Sequence, residues 1–291
     1  MNIFKMPNKN TLININCRIS DSARLPLSVT RGNVSERANL AQQYSDQLRQ
    51  GLDKISEGKQ CSVQKYKELI TQILGGTKIN LKISPIKNSK FQGTLRRDFY
   101  FQSKSHSFGN LTIEQTDANI IGYSMQLPLS KDNTTITNKY TALHEGRHLF
   151  DHICNPKTIP MRSCQYIYED KKLDSFYKIY NGFTQDYRPY LTHSKFKKQI
   201  RDELKNISNE EAIDVLQASR QTISTEKNAY KDEMNYLIKR PVSNINSYLA
   251  CCDFLFAMSY DKKYKFANEL LAEKLNSARE TIHINNSNKK V

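Results

Sequence analysis

The stretch Thr141-Ala142-Leu143-His144-Glu145-Gly146-Arg147-His148-Leu149-Phe150, followed by Asp151 and His152, constrains this chain more than any other. On a helix, His144 and His148 stand one turn apart on the same face, with their imidazoles about 6 Å apart along the axis. That separation suits two ligands of one tetrahedral zinc ion. Glu145 is rotated by about 100° from His144, which puts it beside such an ion and not on it. A carboxylate there can take a proton from a bound water and pass it to a leaving amine. Taken singly, each of these residues is at home as an ordinary core or surface side chain. The pattern as a whole points to a metal.

The chain around the motif divides by its periodicity. Residues 1–33 mix Asn, Ser, Arg, Pro and Gly without a clear period and read as a flexible leader. Ser35 can cap a helix to about Glu57, along which Leu40, Tyr44, Leu48, Leu52 and Ile55 recur at helical spacing. Ser62 opens a second helix to about Leu74, with Tyr66, Leu69, Ile70 and Ile73 on one face and Gly75-Gly76 ending it. From 77 to 86 the period becomes two, at Ile79, Leu81 and Ile83, and further β-like runs follow at 95–101, 110–113 and 120–129, the last closed by Pro128. After a polar loop the motif helix is expected to start near Thr135 or Thr137, and Asn155-Pro156 and Pro160 break the chain beyond it.

The remainder reads as helical at 172–180, 194–204, 209–233 (with room for a break), 243–258 and 263–274. A small mixed sheet, the motif helix and a mainly helical half make an α+β fold. The expected organisation is one domain over 34–276, with a helical part at 34–76, sheet plus motif helix at 77–153, and a helical part at 154–276. A polar tail occupies 277–291.

The net charge of +15 favours acidic partners, nucleic acid or anionic membranes, with small clusters at 195–198, 262–265 and 289–290. No nucleic-acid-binding motif accompanies it, and a solvated, Lys-rich surface is the plainer reading. No apolar run approaches the ~20 residues needed to cross a bilayer, and the first ten residues lack the apolar segment of a secretory signal. The six cysteines are dispersed, without a C-x-x-C, and read as mostly reduced. The expected location is the cytoplasm, or delivery by a route that needs no cleaved signal.

Beyond its five-residue core, the motif resembles the zincin metallopeptidases. Thr141, three residues before the first His, the uncharged Ala142 and Gly146, and the hydrophobes Leu149 and Phe150 match their wider pattern over about ten residues. Arg147 departs from it, since a charge inside the core is unusual; it can reach solvent or pair with a carboxylate. The resemblance implies a zinc-dependent metalloendopeptidase acting on protein or peptide substrates, with Glu145 as general base and acid. His152 cannot share the ion, lying about 12 Å from His144 along one unbroken helix.

The stretch 225–233 looks like the third-ligand helix of gluzincins, with Glu226 as metal ligand and the small Ala229 three residues on. Glu233 on the same strip is the fallback, and Glu210 and Glu211 are more distant alternatives. The metzincin spacing would use Cys154 instead, with Asp151 where that pattern has Gly. Asp151 also stands where it can serve His148 or simply face solvent. His193, Tyr187, Tyr190 and Tyr230 have suitable chemistry for an oxyanion donor. The strand 120–127 is either the cleft-lining edge strand that zincins use to pair with substrate, or a core strand. Two other outcomes stay open: a basic nucleic-acid- or membrane-associated protein, and a zincin fold without activity.

Overall fold

A computed structural model describes residues 11–19, 34–86, 93–108, 111–154, 172–184, 193–239 and 244–288. The described residues form an α+β fold. Those within Met1–Lys157 and Ala229–Ala250 make one compact unit, and those within Thr158–Asn228 and Cys251–Val291 make a second.

In the first unit, α1 (Val34–Ile55) buries Ala41, Leu48 and Leu52 completely, as the helical spacing requires. It begins one residue ahead of Ser35, so that residue lies in the first turn and is not the cap. Helix α2 (Val63–Ile73) starts as expected: Ser62 caps it by accepting from the Lys65 N–H, and Tyr66, Leu69, Ile70 and Ile73 face inward. Gly75 and Gly76 take φ of 65° and 84°, a left-handed conformation that ends the helix. Their N–H groups donate to the carbonyls of Gln72 and Thr71.

The main sheet is built on β6 (Leu111–Leu127). The antiparallel β5 (Thr94–Phe108) lies along one side, from Thr94 opposite Gln126 to Phe108 opposite Leu111, with a shift at Asp98/Phe99. Two parallel strands share the other side. β1 (Thr11–Ile19) covers the first part of β6, and β4 (Leu81–Pro85) covers its end, with Leu81 opposite Tyr123. The β-like runs expected as separate pieces are thus two long strands.

Two other expectations change here, and one open alternative is decided. Thr11–Ile19, placed by sequence in the leader, is a paired strand; the rest of 1–33 lies outside the described residues. The strand expected over 77–86 is confined to Leu81–Pro85. The segment 120–127 is not an edge, because its residues from Tyr123 to Gln126 pair with β4 on one side and β5 on the other. Tyr123, Met125 and Leu127 are correspondingly buried.

A second, small sheet of β2 (Ser56–Glu57), β3 (Gln60–Ser62) and β7 (Thr135–Ile136) stands just ahead of the motif helix. β7 occupies the positions where the helix was expected to begin. Helix α3 (Lys139–Cys154) starts later, with Asn138 Oδ1 accepting from the Tyr140 N–H in the manner of a cap. Around it, Leu143, Leu149, Phe150 and Ile153 join Leu48, Leu52, Tyr66, Ile70 and Met125 in one apolar core.

The second unit contains α4 (Lys172–Thr184), α5 (His193–Glu203), most of α6 (Asn209–Ile238) and most of α7 (Asn244–Asn288). Its centre is an aromatic cluster in which Phe183, Phe196 and Phe266 stand 5.4 to 6.0 Å apart by ring centroid. The buried Lys263 ammonium donates to the Phe183 carbonyl at 3.1 Å. Helix α6 runs unbroken through the break allowed by sequence. The two helices expected at 243–258 and 263–274 are one, continuing through most of the expected tail. Among the described residues no helix is long and apolar enough to cross a membrane.

Candidate metal centre

Helix α3 is buried almost all round. Its close seating depends on Gly146: a Cβ there would meet Leu48 Cδ2 at 2.3 Å and Tyr66 Oη at 2.8 Å. The Tyr66 hydroxyl, inside the core, donates instead to the Ala142 carbonyl at 2.7 Å. Burial, with the charges of Cys61 and Glu145 adding to it, holds the Tyr66 pKa well above the ordinary value, so the phenol stays a donor. This face of the motif is packing, and it leaves His144, Glu145 and His148 for the others.

Within the first unit, the C-terminal part of α6 runs antiparallel to α3. Tyr236 meets Tyr140 with ring centroids 5.6 Å apart, while Tyr230 stacks edge-on against His144 at 4.8 Å. Between these contacts, His144 Nδ1 lies 3.2 Å from Glu233 Oε2. In the tautomer with the proton on Nδ1, that nitrogen donates to the carboxylate and Nε2 is the nitrogen that would face a metal. The two motif imidazoles are 4.8 Å apart by centroid. His148 is 8% exposed and Glu145 4%.

Glu226 lies on α6 seven residues before Glu233, on the same strip of the helix. The boundary between the two units cuts α6 just beyond it, at Asn228/Ala229, and the helix is continuous there. One ligand atom each from His144, His148 and Glu226 lie within 4.8 Å of one another. Donor atoms around a tetrahedral zinc ion with bonds of roughly 2.0–2.1 Å stand about 3.4 Å apart, so the 4.8 Å spread here is wider than that of an occupied site. Two imidazoles and a carboxylate are a donor set that zinc accepts in hydrolytic sites. Ala229, expected to permit close helix approach, is completely buried.

The other sequence candidates separate clearly. Glu233, the fallback ligand, is the hydrogen-bond partner of His144 and is not in the converging group. Cys154 is buried at the end of α3, where burial pushes its thiol up to about 12, and it too is outside the group. Asp151 does not face solvent: it is buried, accepts from Arg147 Nε at 3.1 Å, and lies close enough to His148 to interact with it electrostatically. Among the oxyanion candidates, Tyr230 is at the site, His193 opens α5, and Tyr187 and Tyr190 lie outside the described residues. Glu210 and Glu211 sit in the first turn of α6.

Sequence reasoning missed four contributors, Gln42, Ser45, Gly93 and Asp232, and left Arg147 either to reach solvent or to pair with a carboxylate. Arg147 does not reach solvent; its buried guanidinium binds Asp151, Asp232 and Gln42. Burial disfavours its charge, but the carboxylates of Asp151 and Asp232 outweigh that and hold its pKa above the ordinary value. Asp232 also accepts from Ser45 Oγ at 2.6 Å. Gly93, just ahead of β5, lies over the motif: a Cβ there would stand 2.6 Å from Glu145 Oε1 and 2.7 Å from Thr141 Cγ2. The one available signal was Arg147 itself, a charge in a motif that is otherwise uncharged at that place.

Of the basic clusters, Lys197 pairs with Glu269 at 3.5 Å and Lys265 with Asp261 at 3.0 Å, while Lys263 is buried and residues 289–290 lie outside the described set. Cys61, Cys154, Cys251 and Cys252 are free. No protein-family model, curated protein or solved structure matches this chain.

Proposed function

We propose that the protein is a zinc-dependent metalloendopeptidase of the zincin type, with His144, His148 and Glu226 as ligands and Glu145 as general base and acid. The observation that carries this reading is the convergence of one ligand atom from each of these three residues, two from the motif and one from 78 positions further on. The motif and the stretch 225–233, which the resemblance singles out separately, both contribute to this group, and that agreement supports the reading. Bound there, zinc supplies Lewis acidity and a water of lowered pKa.

The side chains of this chain do the rest. Glu145 accepts a proton from the attacking water and returns it to the leaving amine. Glu233 holds His144 in the tautomer that presents Nε2 and raises its basicity. Among the described residues β5 pairs only with β6, so its other edge is the one beside which an extended substrate would lie, starting at Gly93 next to Glu145. That role passes from 120–127, now an interior strand, to β5.

The test is peptide hydrolysis by Glu145→Ala. Cleavage is expected to be abolished while the protein keeps its zinc. A variant that cleaves a good substrate as fast as the wild type sinks the mechanism.

A further inference from the structure

We propose that Arg147, the charge inside the motif, is a positioning residue: through Asp232 it fixes the register at which α6 presents Glu233 to His144. The proposal rests on the zinc-site reading above. It starts from three bonds made by one buried side chain. Arg147 is 2% exposed; its Nε donates to Asp151 Oδ2 at 3.1 Å, and its Nη1 donates to Asp232 Oδ2 at 3.0 Å and to Gln42 Oε1 at 2.5 Å.

Asp232 is equally committed. It is 3% exposed and also accepts from Ser45 Oγ at 2.6 Å and from Gln42 Nε2 at 3.1 Å. Gln42 and Ser45 lie on α1, Arg147 and Asp151 on α3, and Asp232 on α6, so one polar cluster ties three helices at a single height.

Register is what such a cluster controls. Tyr236 donates a hydrogen bond to Asp53, but the purely apolar contacts of α6 in this unit, through Ala229 and Leu237, are non-directional and tolerate small shifts along the helix. A buried ion pair does not, because each lost bond leaves a desolvated charge. Asp232 and Glu233 are neighbours in sequence, so the bond that seats one decides where the other points. A slip of one residue would move Glu233 by about 1.5 Å and turn it by about 100°, off His144.

Arginine is needed for this rather than lysine. The acceptors come from three elements, and a planar fork meets them together, whereas an ammonium on a flexible stem is a point charge. The plain alternative is that Arg147 and Asp232 only hold the core together. In that case their loss would lower stability and leave zinc affinity where it was.

The test is zinc affinity of the apoprotein, measured by competition with a chromophoric chelator, alongside urea unfolding of each variant. Asp232→Asn keeps shape and one acceptor; it is expected to bind zinc about 10- to 100-fold more weakly than wild type, as does Glu233→Gln. Because one acts through the other, the double variant is expected to bind no more weakly than Glu233→Gln alone. Arg147→Lys is expected to fall between wild type and Asp232→Asn. Ser45→Ala leaves every charge in place and is expected to weaken zinc a few-fold, should Asp232→Asn not fold. Wild-type zinc affinity in folded Asp232→Asn or Ser45→Ala, or losses that add in the double variant, would overturn the positioning role alone. A wild-type protein that binds no zinc would overturn the site reading and this proposal with it.

Discussion

His144 Nδ1 stands 3.2 Å from Glu233 Oε2, across 89 positions of sequence. This contact ties a motif histidine to a carboxylate that sequence had ranked as a substitute ligand. In the proposed site it gives Glu233 a different task, which is to orient the histidine. On that proposal the same strip of α6 would supply both a ligand, Glu226, and the group that orients another, His144.

Gly146→Ala is expected to destabilise the protein by about 1–2 kcal/mol. On an exposed helix the change would stabilise by roughly 1 kcal/mol. Here the added methyl would meet Leu48 Cδ2 at 2.3 Å, and overpacking of that kind costs about 1–3 kcal/mol. Urea unfolding measures the sign directly; a gain in stability contradicts the packing described.

Gly93→Ala bears on chemistry more than on folding. The new Cβ would stand 2.6 Å from Glu145 Oε1, so the carboxylate has to move. Displacing a reacting group by about 1 Å costs on the order of 100-fold in rate. The variant is expected to keep its zinc and lose roughly 10- to 100-fold in kcat, read from peptide hydrolysis beside elemental analysis. Unchanged kcat would mean that Gly93 does not confine the base.

Thiol chemistry probes the core independently of any metal. Burial pushes Cys61 up to about 11 and Cys154 up to about 12. Both are therefore expected to resist iodoacetamide at pH 8 in the folded protein, whereas the exposed Cys251 reacts. Mass mapping after brief labelling distinguishes them, and modification of Cys154 without denaturant contradicts its burial.

What sequence made legible was local. His144, Glu145 and His148 follow from spacing on one helix, and the cap at Ser62 and the stop at Gly75-Gly76 follow from side-chain and backbone chemistry within a few residues. Glu226 was reachable only through the resemblance, because a carboxylate on a helix carries no mark of what it faces. Arg147 was legible as an anomaly that could pair with a carboxylate, as it does with Asp151 and Asp232, but its partners Gln42 and Asp232, 105 and 85 positions away, were not.

Breaks were overcalled for a related reason. In α6, Thr222 and Thr225 lower helix propensity and their hydroxyls donate back to the carbonyls of Ala218 and Thr222, yet the helix stays continuous, with Ala218 and Ile223 buried in its packed face. In α7, the polar Asp261 looks like an interruption but pairs with Lys265 one turn on, at 3.0 Å. The interior position of 120–127 depends on strands from two distant parts of the chain, and its own alternation does not reveal how many neighbours it has.

The central claim is that His144, His148 and Glu226 hold zinc, and equilibrium dialysis of the apoprotein against zinc tests it most directly. Wild type is expected to take up about one zinc per chain, the His144→Ala/His148→Ala double variant none, and Glu226→Ala with markedly reduced affinity. Wild-type protein that takes up no zinc, or variants that bind it as tightly as wild type, would contradict the account.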